Sequence, residues 1–198
     1  MAKYIITISR EFGCGAREIA RGLASRLNII LHDKDLVDLT VMKGEVHTDK
    51  INEYDERSPK GPLWNEFAYG SSSVFYSQSA VETQAEIIRE MAESSESCIF
   101  FGRCADYILM EYPDVISFFL YAPLEARIRH IHEAYTVSDK EAARMIKRID
   151  KQRHNYYKYV TGKNRGDRSG KDIMINVDKY GVEKTIQLMY DAVRILFE

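Results

Sequence analysis

An apolar run, a pair of glycines and an amphipathic stretch follow one another at the start of this chain, and few folds accept that order. Ile5-Ile6-Thr7-Ile8-Ser9 is rich in β-branched residues and breaks into polar sequence, as a short buried strand does. Gly13 and Gly15 supply a turn. From Arg17 to Leu27, the apolar residues Ile19, Ala20, Leu23, Ala24 and Leu27 recur at helical spacing. The opening therefore reads strand, glycine turn, helix, with Asn28 ending the helix.

The alternation continues. Ile29-Ile30-Leu31 is a second strand candidate, followed by His32-Asp33-Lys34-Asp35. Leu36 to Met42 has helical character, Lys43 to Pro62 is polar, and Trp64 to Tyr76 mixes aromatics with serines and has no assignable period. Ser79 to Ala92 carries an apolar stripe of Ala80, Val81, Ala85, Ile87, Ile88 and Met91 and predicts a helix. Ser97–Phe101, Val115–Tyr121 and Ile173–Val177 are further strand candidates. Between them lie a short helix ending near Met110, one opened by Pro123 in its first turn, and one capped by Ser138 with Glu141 at the capping-box position, running towards Tyr159. Thr161 to Lys171 is a glycine- and charge-rich loop, and Val182 to Phe197 is a last amphipathic helix. Strands alternating with helices predict right-handed crossovers and a parallel, five-stranded sheet with helices on both faces. The length of 198 residues suits one domain, with 37–96 as a helical insertion and 138–171 as a lid.

Composition excludes several classes. A hydrophobic content of 45% supplies a core without disulfides or a metal staple. The three cysteines are not arranged as a disulfide framework or a zinc site, and Cys98 in its apolar run is expected to be buried. A formal net charge of −2 gives no overall attraction to nucleic acid or to a membrane surface. No segment reaches the roughly 20 apolar residues of a membrane span. The expected location is the cytoplasm, with no nucleic-acid or membrane partner.

In open parallel sheets, ligands lie beyond the carboxyl ends of the strands. Ser9-Arg10-Glu11-Phe12-Gly13-Cys14-Gly15-Ala16-Arg17-Glu18 occupies that place after the first strand. A helix start offers unpaired N–H groups and a positive dipole end, and the glycines admit close approach of a phosphate. The pattern is not the G-x-x-x-x-G-K-[ST] loop: Ala16 stands at the lysine position and Arg17 at the hydroxyl position. The residues alone leave two readings, a phosphate cradle or a tight turn that binds nothing.

The run Ile6-Thr7-Ile8-Ser9-Arg10-Glu11-Phe12-Gly13-Cys14-Gly15-Ala16-Arg17-Glu18-Ile19-Ala20 closely resembles the opening signature of the cytidylate kinase-like family. The resemblance continues at His32–Leu36, at Phe101-Gly102-Arg103-Cys104-Ala105-Asp106-Tyr107 and at Asp150-Lys151-Gln152-Arg153, in order along almost the whole chain. It implies a P-loop three-layer α/β/α fold with a helical lid and a nucleoside-monophosphate-binding insertion. It implies ATP and Mg²⁺ as co-substrates and CMP, dCMP or a similar monophosphate as acceptor. Arg103 matches the family arginine that meets the acceptor phosphate, with Cys104 in place of an aspartate, and Asp150 and Arg153 match an Asp-x-x-Arg element of the lid. The lysine is missing, as it is in the family as a whole, and Cys14 and Ala16 depart from the usual Gly-Ser-Gly-Gly turn.

Phosphoryl transfer needs a cradle, cations and a clamp on the acceptor. The cradle and cofactor site would be Gly13, Cys14, Gly15, Ala16, Arg17 and Glu18, with Arg17 replacing the lysine. Glu18 or Asp33 could hold Mg²⁺; for Glu18 the competing role is compensation of the helix dipole. Arg103, Asp106, Asp150 and Asp33 form the expected acceptor site, with a surface salt bridge as the alternative for Arg103. Arg17, Asp33, Arg148 and Arg153 are the catalytic candidates. Arg144 and Arg148 share a helix face and fit either lid arginines or a solvated surface. The expected activity is ATP-dependent phosphoryl transfer to a nucleoside monophosphate or another small phosphate acceptor. The alternatives are a nucleotide-binding module with little or no catalysis and, from the aromatics around Trp64 and Phe67, a homodimer.

Overall fold

The computed structural model describes residues 3–33, 78–94 and 96–197. The described residues form five strands: β1 (Ile5–Arg10), β2 (Ile30–His32), β3 (Cys98–Phe101), β4 (Val115–Tyr121) and β5 (Ile173–Asn176). They form one sheet in the order β2-β3-β1-β4-β5, and every pairing is parallel. The first strand is central, with Ile6 opposite Ile99 on one side and Ile116 on the other. A parallel strand with neighbours on both edges buries both faces, which is why β1 and β4 are apolar runs rather than alternating ones.

The helices are α1 (Ala16–Leu27), α2 (Gln78–Glu93), α3 (Ala105–Ile108), α4 (Leu124–Tyr135), α5 (Asp139–Thr161) and α6 (Val177–Phe197). On one face, Ile19, Ala20 and Leu23 of α1 and Ile186, Met189 and Val193 of α6 pack on Ile6, Ile8, Ile116 and Phe118. On the other, Ile87, Ile88 and Ala92 of α2 and Ala105 of α3 pack on Ile5, Cys98 and Phe100. These are the three layers expected. A third cluster joins α4 and α5 around Phe12: Ile131, Ala142, Met145, Ile146 and Ile149. Full burial of an aliphatic or aromatic side chain contributes about 1.5–3 kcal/mol, so each cluster is a substantial share of stability.

Local signals account for most element ends. Asn28 at φ 54° caps α1 and donates its N–H to Ala24 and Ser25 carbonyls. The Ser138 hydroxyl accepts from the Glu141 N–H at 3.3 Å, as the capping pattern predicts. Pro123 stands one place earlier than expected, as the N-cap of α4. Two boundaries moved further. The second strand is one residue later than read, and α6 begins at Val177 and turns at Gly181 (φ 72°, ψ 171°), so Val177 leaves the strand. The expectations for Leu36–Met42, Lys43–Pro62 and Trp64–Tyr76 lie outside the described residues. No helix among the described residues is long and apolar enough to cross a membrane.

Candidate phosphate-binding site

The carboxyl end of β1 turns sharply into α1. Glu11 donates its N–H to the Leu120 carbonyl at 3.0 Å, and the chain then passes through Gly13 (φ 84°) and Gly15 (φ 76°). Left-handed backbone is free of steric cost only for glycine. Ala16 starts α1 outside the left-handed region, so its methyl group is tolerated. Cys14 points inward: its thiol donates to the Glu11 carbonyl at 3.2 Å and lies 3.6 Å from the Leu120 carbonyl. Burial raises that thiol to about 11. With the side chain turned away, the outer side of the bend is open. The first turn of any helix carries N–H groups that no helical carbonyl can accept.

Above the bend lies a cavity of about 550 Å³. Gly13, Cys14, Gly15 and Ala16 form its floor, and Arg10, Arg17, Arg21 and Arg153 stand on its walls. Glu18, exposed in the first turn of α1, is also on the wall. The floor of amides under several guanidinium groups suits an anion carrying more than one phosphate. Among the described residues no three His, Cys, Asp or Glu side chains are grouped to hold a metal ion by themselves. A Mg²⁺ site on a nucleotide needs only one or two carboxylates beside phosphate oxygens, which Glu18 on the cavity wall fits.

Arg17 and Asp33 are brought together. The Arg17 Nε lies 2.9 Å from Asp33 Oδ2 and its Nη2 3.5 Å from Oδ1, a two-point pair joining α1 to the end of β2. The pair is partly exposed, so its contribution to stability is small.

A second left-handed stretch follows β3. Gly102, Arg103 and Cys104 have φ of 87°, 57° and 58°. Two consecutive side-chain-bearing residues in that region store strain of the kind found at ligand sites. The φ of Gly102 favours glycine, and the Arg10 guanidinium lies where a Cβ would be added, 3.8 Å from the centre of the Phe101 ring. Burial lowers the pKa of Arg103, with Arg153 adding to it and Tyr156, Cys104 and Asp33 opposing. Burial also lowers Arg165, to about 10, again with Arg153 contributing. Arg153 therefore lies close enough to Arg103 and to Arg165 to repel each of them, a repulsion that a bound anion would relieve.

The remaining candidates are divided. Arg153 lines the cavity, with its guanidinium 5.6 Å from the Phe12 ring. Arg148 is on the exposed face of α5 and does not line the cavity. Asp106 is buried, ion-paired with Lys171 and accepting from the Tyr157 hydroxyl at 3.1 Å. Asp150 accepts the Phe12 N–H at 2.9 Å and faces Arg127 at 2.5 Å and Arg165 at 3.5 Å. A charged, glycine-rich loop predicts a solvated surface for Arg165, yet it is buried and faces Asp150 at 3.5 Å, while Arg10 and Arg127 were not among the sequence candidates. Arg10 had a legible signal, a cation at the carboxyl end of a central strand. Arg127 had none, since it sits within an ordinary amphipathic helix.

Comparison with known proteins follows this geometry. The sequence model of the cytidylate kinase-like family matches residues 5–179, from the first residue of β1 into α6. The chain belongs to that family. A cytidylate kinase of Thermococcus sibiricus is 26% identical over 124 residues, which cover 62% of this chain and 63% of that relative. The match thus spans less than two thirds of the relative's own length. A solved structure of an uncharacterized protein from Eubacterium ventriosum superposes with a TM-score of 0.76 at 27% identity, over 97% of this chain and 98% of its own. A gluconokinase from Sinorhizobium meliloti shares the fold alone, with a TM-score of 0.57 at 10% identity over 100% and 99% of the two chains. This cytidylate kinase-like chain thus has the architecture of the P-loop kinases of nucleoside monophosphates and other small molecules.

Proposed function

We propose that the chain transfers the terminal phosphoryl group of ATP to a nucleoside monophosphate, with CMP and dCMP as the first acceptors to test. The observation that supports this most is the cavity over the Gly13–Ala16 bend, walled by Arg10, Arg17, Arg21 and Arg153. In this reading the amides from Gly13 to Glu18 cradle the donor phosphates, and the dipole of α1 favours their charge. Arg153 and Arg17 stabilise charge on the migrating group. Arg103 clamps the acceptor phosphate from the strained end of β3. Asp106 serves the acceptor by holding the segments around it, whereas Asp150, which accepts the Phe12 N–H, serves the turn. Mg²⁺, if bound, would supply positive charge against the donor phosphates. Glu18 and Asp33 are the carboxylates that would hold it, Asp33 after leaving Arg17. The T. sibiricus relative, a cytidylate kinase by name, points to the same acceptor class.

One observation favours a second reading. Arg17 is engaged with Asp33, and a guanidinium held there is not available as a lysine substitute. The chain would then bind nucleotide with little or no turnover.

Purified protein incubated with ATP, Mg²⁺ and a panel of monophosphates separates the two. The first reading expects ADP above the ATP-only background with at least one acceptor. Tight calorimetric binding of a non-hydrolysable ATP analogue without ADP release selects the second. No binding at all removes both.

A further inference from the structure

Phe12 is the residue of the phosphate turn that enters the core. It is 2% exposed, and its ring is buried among Ile131, Ala142, Met145, Ile146 and Ile149 of α4 and α5. Both peptide groups around it are held by side chains from those helices. Asp150 Oδ1 accepts the Phe12 N–H at 2.9 Å, and Arg127 Nη1 donates to the Phe12 carbonyl at 3.2 Å. The same Nη1 lies 2.5 Å from Asp150 Oδ2, closing a ring of contacts. Arg127 Nε is 3.4 Å from Glu11 Oε2, which also accepts the Ala122 N–H at 3.2 Å. Arg165 Nη1, from the loop after α5, lies 3.5 Å from Asp150 Oδ1.

We propose that Arg127 and Asp150 are positioning residues for the donor phosphates: they fix the two peptide planes at Phe12 and so set the direction in which the following amides point. The inference rests on the reading of the turn as a phosphate site. A buried ion pair is a weak source of stability, because desolvation offsets its attraction. What this pair does is orient dipoles. Rotating the Phe12–Gly13 peptide would swing the Gly13 and Cys14 amides, and preorganised donors lose their effect when they are misaimed. The ring also ties α5 to the turn. Asp150 and Arg153 are three residues apart and share a helix face, so a displacement of α5 moves the cavity-wall arginine and the phosphate amides together. Helix α5 thereby acts on the cradle as well as covering it.

The near-isosteric Asp150→Asn removes the charge that Arg127 and Arg165 need, and Arg127→Lys removes one arm of the fork. Amide hydrogen exchange and calorimetry with a non-hydrolysable ATP analogue are read on each. For Asp150→Asn, exchange across Gly13–Ala16 is expected to rise and analogue affinity to fall about tenfold, the worth of one charged hydrogen bond. CMP affinity is expected to change less than about twofold, and exchange in α6 not at all, since distant sites are independent. Arg127→Lys should fall between this variant and the parent. Unchanged exchange in the turn overturns the inference whatever the nucleotide does. So does faster exchange with unaltered analogue affinity, or a loss that is equal for analogue and CMP and follows global unfolding. Should Asp150→Asn not fold, Arg127→Lys carries the same test. Parent protein that binds no nucleotide defeats the kinase reading instead, while exchange in the turn still decides whether the clasp holds it.

Discussion

Gly13 lacks a side chain for two independent reasons. Its φ of 84° lies where a Cβ is strained, and that Cβ would sit 3.0 Å from Ile131 Cγ1 and 3.3 Å from Arg127 Cβ. Left-handed backbone costs an alanine about 1–2 kcal/mol, and the contacts add to it. A stiffer unfolded chain returns roughly 0.4–1 kcal/mol. Gly13→Ala is therefore expected to destabilise the fold by about 1–3 kcal/mol in urea denaturation, with loss of ATP-analogue binding; an unshifted midpoint would contradict the crowding. Cys14 gives a pH signature. Its thiol ordinarily ionises near 9.0, and burial raises it to about 11 in the fold. Between those values the unfolded chain has lost a proton that the folded chain keeps, so rising pH favours unfolding. Replacing the thiol by a methyl group removes that contribution. The stability difference between the parent and Cys14→Ala should shrink by roughly 1 kcal/mol per pH unit above pH 9. Chemical denaturation at pH 8 and pH 10 measures it, and a constant difference would mean that the thiol ionises without hindrance. The inward turn of Cys14 was not legible in the chain, because it depends on the Leu120 carbonyl of a neighbouring strand.

Between elements, α1 packs tightly on α6 at Gly22. Gly22 faces Ile186, and a Cβ at position 22 would lie 2.5 Å from Ile186 Cδ1. Alanine is the better helix former by about 1 kcal/mol, but overpacking a filled interface costs typically 1–3 kcal/mol. Gly22→Ala is expected to lower stability by about 1 kcal/mol net, and Ile186→Val, which removes the colliding methyl group, to restore most of it. A double-mutant cycle by thermal unfolding reads the coupling; additive effects would show that Ile186 simply rotates away. The reading of elements failed where two periods compete. Ile173-Met174-Ile175-Asn176-Val177 is mostly apolar, with β-branched residues at both ends, so the period does not mark where pairing with β4 stops. Pairing ends at Asn176 opposite Tyr121, and Val177 turns to pack under α1 as part of α6. Elements with caps or long periods fared better. Asn28 ends α1 and Ser138 opens α5 where the residue chemistry required.

At the scale of the molecule, a chain with a net charge of −2 places four arginines, Arg10, Arg17, Arg21 and Arg153, around one cavity. The strand–helix alternation was enough to imply parallel pairing and three layers, because a crossover helix leaves few other arrangements. The strand–glycine–helix bend was likewise legible, since its parts lie within a few residues and act through local backbone geometry. The same alternation does not contain the order β2-β3-β1-β4-β5, nor the pairing of Arg17 with Asp33. Least of all does it contain the clasp at Phe12, whose N–H meets a carboxylate 138 residues away. The physical reason is range. Backbone preference and hydrophobic period act over one or two turns of chain, whereas an ion pair or a directed amide depends on which helix packs against which strand, and that is decided when the core closes.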